Sequence, residues 1–162
     1  MERTLKLIAL CTMLVCSLVL VSGCGVGDKF EGKWVGMIMI QDEIIAHWEI
    51  KKNGDGYLIT AKRYRLMNVD KTNLKWRVVD DLENDGGTAK DNLLNVPKTG
   101  GALTYNESDK TLKTMPYPTV PAAVMHKDDD GKEFERLKAE LLAKKKAELE
   151  KKYPGIEITV EE

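Results

Sequence analysis

The 162-residue chain offers few residues for chemistry: three cysteines, two histidines, and aromatics at 6% of the total. Cys11 and Cys16 sit inside an apolar leader and Cys24 at its end. The remainder therefore cannot be a disulfide scaffold. His47 and His126 are distant in sequence and lack carboxylates at ligand spacing, so no zinc set is expected. There is no G-x-S-x-G, no S-x-x-K and no Gly-rich phosphate loop. Asn53-Gly54-Asp55-Gly56 and Asp128-Asp129-Asp130-Gly131 contain fragments of a calcium loop. Neither continues to the acidic ligand that such a loop requires. They read instead as a hairpin turn and as acid at a helix start. No surplus of positive charge exists, with 25 Lys and Arg against 26 Asp and Glu, which argues against a nucleic-acid binder. The expectation is a protein that is not an enzyme and uses no cofactor and no metal. With so few rings, the core must rest on Ile, Leu, Val and Met.

The uncharged stretch at the amino end is the strongest feature. Arg3 and Lys6 precede LIALCTMLVCSLVLV, Leu7 to Val21, and Ser22-Gly23-Cys24-Gly25 follows. Basic, apolar and small segments in that order make an export signal. A membrane-spanning anchor is the alternative, but SGCGVG brings three glycines into its last turns, and glycine is a poor helix former. The strongly apolar part alone is short for a bilayer span.

Val21-Ser22-Gly23-Cys24 resembles the lipobox of bacterial lipoproteins, with Val where Leu is usual. The resemblance covers about the first 25 residues. It implies signal cleavage between Gly23 and Cys24, a diacylglyceryl thioether on Cys24, and acylation of the new amine, commonly by palmitate. The thiol is the soft nucleophile that such an alkylation needs, and two or more acyl chains give stable membrane anchoring. The expected location is the bacterial cell envelope. Gly25 lacks the Asp that retains Gram-negative lipoproteins at the inner membrane. The expectation is thus the periplasmic face of the outer membrane, or in a Gram-positive cell the outer face of the plasma membrane. Cleavage would remove Glu2, Arg3 and Lys6, leaving 23 basic against 25 acidic residues.

The predicted organisation is a signal peptide over 1–23, a lipid-anchored tether over 24–29, an antiparallel β-domain over 30–115, a Pro-rich linker over 116–128, and a C-terminal helix with a short strand over 129–162. KWVGMIMI, IIAHWEIK and YLITAKRYRL have strand composition, and NGDG joins the last two as a hairpin. Ile44, Ala46, Trp48 and Ile50 share one face of their strand, as do Tyr57, Ile59 and Ala61 of the next. Leu74 to Val79 reads as a fourth strand and Asp80 to Asp91 as a polar loop, its carboxylates a solvated turn. NLLNV, ALTYN and TLKTM are short strands. PYPTVPAAV, with three prolines, reads as extended linker. From Lys132 to Tyr153 the chain is helical, with Phe134, Leu137, Leu141, Leu142, Leu149 and Tyr153 at helical spacing and Pro154-Gly155 as the stop. Ile156 to Val160 is a candidate last strand at a sheet edge.

The fold class expected is therefore α+β, mainly β: an antiparallel meander forming a small barrel or half-barrel, then a long amphipathic helix and a possible short strand. Gly32-Lys33-Trp34 in the first strand resembles the start of lipocalin-like barrels, whose Trp closes one end; this likeness carries fold, not function. Trp34, Trp48, Tyr57 and Trp76 are the candidate ligand-facing residues. The expected role is a non-catalytic module bound to the membrane through its lipid. It would take an envelope protein or a small apolar ligand as partner. The alternative is a structural envelope component using the charged helix as a docking surface.

Overall fold

A computed structural model of the chain describes residues 28–39, 43–99, 101–114 and 122–161. Gly23 and Cys24 lie outside the described residues. Eight strands follow one another as β1 (Gly32–Met39), β2 (Glu43–Asn53), β3 (Gly56–Asn68), β4 (Asn73–Lys90), β5 (Leu93–Val96), β6 (Gly101–Asn106), β7 (Thr111–Thr114) and β8 (Val124–Lys127). Each pairs antiparallel with the next, and β8 pairs back onto β1, so the sheet closes into a barrel. Closure removes the sheet edges that would otherwise invite association. Helix α1 (Lys132–Lys152) packs outside, and β9 (Thr159–Glu161) adds parallel to the first residues of β4.

Alternation along the strands builds two separate cores. Trp34 and Ile38 of β1, with Ile44, Ala46 and Ile50 of β2 and Ile59 of β3, point into the barrel. Their neighbours Val35, Ile45 and Leu66 point outward and join Leu137, Leu141 and Leu149 of α1. The predicted helix stripe is thus buried on the barrel wall, with Phe134, Leu142 and Tyr153 partly covered. Each fully buried leucine of this kind contributes roughly 2 kcal/mol.

Two segments differ from their sequence-based expectation. Val124–Lys127 is a strand rather than linker; Met125 is fully buried inside the barrel. This strand approaches β1 so closely that a Cβ on Gly36 would collide with the carbonyl of Val124. The polar stretch Asp80 to Asp91 is strand to Lys90 rather than loop, because the 18-residue β4 pairs with β3 as far as Gly87 and with β5 from Thr88 to Lys90. Its irregular composition is absorbed by register shifts between Ile59 and Ala61 and between Arg63 and Tyr64. Asp85 there is only 6% exposed. Its carboxylate accepts from the backbone amide of Lys98 at 3.3 Å and pairs with the Lys98 ammonium at 3.4 Å, tying the β5–β6 turn to β4.

Candidate functional site: the two ends of the barrel

One end of the barrel is sealed by the residues that lead into β1. Phe30 is 1% exposed and lies edge-on to Tyr57 and Tyr105, with ring centroids at 5.8 and 6.1 Å. The indole of Trp34 donates from Nε1 to the Phe30 carbonyl at 2.8 Å and meets Tyr105 edge-on. Asp28 knots the seal: it accepts from the Phe30 amide and the Tyr57 hydroxyl and pairs with Lys52 at 3.3 Å. Burial pushes the Asp28 carboxyl up, but the hydrogen bonds from Tyr57, Phe30 and Lys52 outweigh it and hold the group below its usual range. Burial and the adjacent Asp28 push the Tyr57 phenol the other way, upward.

The other end is uneven. The β3–β4 ladder runs from Tyr57 opposite Gly87 to Asn68 opposite Leu74. By contrast β5 covers only Thr88–Lys90 of β4, and β8 covers only Trp34–Gly36 of β1. At about 3.3 Å per residue, the far part of this hairpin overreaches the four-residue strands β5, β7 and β8. Its tip is held by Asp70, which accepts from the amides of Thr72 at 2.7 Å and Asn73 at 2.9 Å. The Thr72 amide and the neighbouring side chains lower the Asp70 carboxyl to about 2.

The outer face of this hairpin carries Tyr64, Leu66, Leu74 and Trp76 against the helix and β9. The inner face is therefore Arg63, Arg65, Met67, Lys75 and Arg77. Register sets Arg63 opposite Ala46 and Arg65 opposite Ile44 on β2, both of them barrel-interior residues. Across the β3–β4 ladder, Arg65 stands directly opposite Arg77. Arg63 and Arg65 are half-buried and Arg77 is exposed.

Of the four aromatic candidates, the structure gathers three. Trp34 and Tyr57 belong to the sealed end and are buried in its packing. Trp48, directly opposite Trp34 in the β1–β2 register, is partly buried against the same interior core. Trp76 faces away from all three, in the outer core beneath the helix, with the Lys138 ammonium 5.6 Å from its ring. The arginines were not among the sequence candidates. The period-two signal that places Tyr57, Ile59 and Ala61 on the inner face continues to Arg63 and Arg65, and would have found them.

His47 occupies the outer face of β2, 5.2 Å from the Phe134 ring. Burial lowers its pKa below 6.5. His126 lies exposed on β8. Among the described residues no three His, Cys, Asp or Glu side chains gather as a metal site, and no helix is long and apolar enough to cross a membrane. The molecule is thus a closed eight-stranded meander barrel, sealed at one end by aromatic rings and carrying a cationic inner face at the other. Comparison with protein families, curated proteins and solved structures found no match for this chain.

Proposed function

We propose that the protein is a lipid-anchored bacterial envelope lipoprotein, a non-catalytic binding module for a protein partner or a small apolar ligand. The observation that carries the anchor is Val21-Ser22-Gly23-Cys24 at the end of an apolar, basic-led stretch. The placement of the two ends supports the binding role. Asp28, four residues after Cys24, is fixed at the sealed end by Tyr57 and Phe30. Arg65 stands eight residues farther along β3, roughly 25 Å away. A lipid on Cys24 would hold the sealed end near the membrane and turn the arginine-bearing end toward the aqueous side. The docking alternative draws less support, because the apolar stripe of α1 is already spent against the barrel.

The test is metabolic labelling with palmitate in a bacterium that processes lipoproteins. The native chain should take up label and shift in mass on processing, and Cys24→Ser should do neither. Persistent label in Cys24→Ser would overturn the anchor.

A further inference from the structure

We propose that a gap in the barrel wall beside β4 admits a small uncharged ligand, an apolar body bearing one hydrogen-bond acceptor, onto the inward side chains of Trp48 and Leu82. The inference rests on the ligand-binding part of the reading above and gives it a site. Closure of the sheet leaves one stretch of edge uncovered. β9 pairs with β4 as far as Lys75, and β5 begins only at Thr88. Between them, among the described residues, β4 is paired on its β3 side alone. Asp85 and Lys98 brace the Thr88 end of this stretch, so the open part runs from Leu82 toward the arginine-bearing end. A bulge lies next to Leu82: β4 places two residues, Glu83 and Asn84, where β3 has Thr60 alone. Asn84 takes a positive φ of 49° and donates its amide to Thr60 Oγ1 at 3.4 Å. Such bulges bend a strand and re-aim the side chains beside it.

The register sets one row across the interior at this level: Trp34 opposite Trp48, Trp48 opposite Ala61, and Ala61 opposite Leu82. Trp34 and Ala61 are buried, but Trp48 and Leu82 are only partly so, although both pack against the interior core. Solvent therefore reaches inward-facing apolar side chains where the wall lacks a strand. An apolar guest that displaces this water removes its own surface and theirs from solvent. The two indoles also differ. Trp34 donates from Nε1 to the Phe30 carbonyl at 2.8 Å, whereas Trp48 Nε1 makes no hydrogen bond among the described residues and is open to water. An indole N–H shut away from water needs an acceptor, and the ligand's own would serve. The row carries no charge, so nothing would offset the desolvation of an ionic ligand there. Arg63, the next inward residue of β3, is engaged within the chain and takes no part in the site. The interior beyond is filled by Phe30, Trp34 and Ile59, none more than 1% exposed, so the ligand is small.

The test uses the full-length chain in neutral detergent, with the Trp48 indole N–H and the Leu82 methyl signals read by NMR. Acetophenone, ethylbenzene and benzoate are titrated in parallel; the first two are alike in shape and differ in the carbonyl oxygen. Acetophenone should shift both signals saturably and leave the Trp76 indole, on the outer face, unmoved. Benzoate should shift neither. Trp48→Phe keeps an apolar ring and removes the donor. Read at Leu82, it should weaken acetophenone by roughly tenfold and ethylbenzene by much less. Trp34 and Trp76 indole signals near their native positions in that variant report an intact fold. No saturable response at Trp48 and Leu82 to either neutral probe would overturn the site. Equal losses for the two probes in Trp48→Phe, no loss for either, or saturable binding of benzoate would overturn the ligand class. Saturable shifts confined to other interior signals, such as Leu112 or Met125, would overturn the site yet leave a ligand-binding module standing. The anchor is independent of all these results, since the palmitate experiment tests it separately.

Discussion

His47 illustrates how a single side chain reports on its surroundings. It alternates with the barrel-facing Ala46 and Trp48, so it lies under the start of α1 beside Phe134. Burial disfavours its charged form; Asp128 and Glu49 pull the other way, and Lys33 and Lys62 add to the lowering. The net pKa falls below 6.5. Below that pH the unfolded chain takes up a proton that the folded chain resists. Folding stability therefore decreases as pH drops through about 6.5 toward the folded value. Unfolding midpoints measured between about pH 8 and pH 5 should fall more steeply for the native protein than for His47→Gln. Parallel profiles would mean that His47 is not the group responsible. At the same scale, the period-two pattern of β3 runs on to Arg63 and Arg65, but charged side chains are usually solvated, which weighs against placing them on an inner face.

At the scale of elements, the start of α1 is the joint between barrel and helix. Asp128 is 2% exposed; its carboxylate accepts from the amides of Glu133 at 2.8 Å and Phe134 at 2.9 Å, while its own amide donates to the Lys33 carbonyl. Gly131 takes a positive φ of 75° between them, a backbone turn that favours glycine. One acid thus satisfies two orphan helix amides and stitches β8 to β1. Asp128→Ala should cost roughly 1–2 kcal/mol in denaturant unfolding. Amide exchange should rise first at Glu133 and Phe134, and Asp128→Asn should recover part of the loss. Unchanged exchange at those two amides would show that the cap contributes nothing. The acid at this helix start was legible in the sequence, as were the NGDG hairpin, the β2 and β3 faces and the helix stripe, because each is a local pattern. What escaped was non-local. Val124–Lys127 becomes a strand because β1 and β7 supply partners, while the three prolines before it suggest only linker. The acid-rich and glycine-rich end of β4 resembles a loop until the long β3 is available to pair with it. Trp76 has no clear alternation in LKWRVV, so its outward facing is set by its register with Leu66.

At the scale of the whole molecule, the barrel is asymmetric by construction. Aromatic packing and the Asp28 knot close the end where the chain enters. The helix and β9 support the overreaching hairpin from outside, with Leu74 and Val160 side by side in the parallel pair and Lys75 bridging to Glu161. The sealed end and the cationic face are thus held apart by one rigid wall. In the proposed setting this separation has a use: the lipid tethers one end and the other is presented to a ligand. That assignment depends on what becomes of Cys24. Intact-mass and amino-terminal peptide mass spectrometry of the protein purified from its native membrane addresses it most directly. The account predicts a first residue of Cys24 bearing a diacylglyceryl thioether. A chain beginning at Met1, or a free thiol at Cys24, would contradict it.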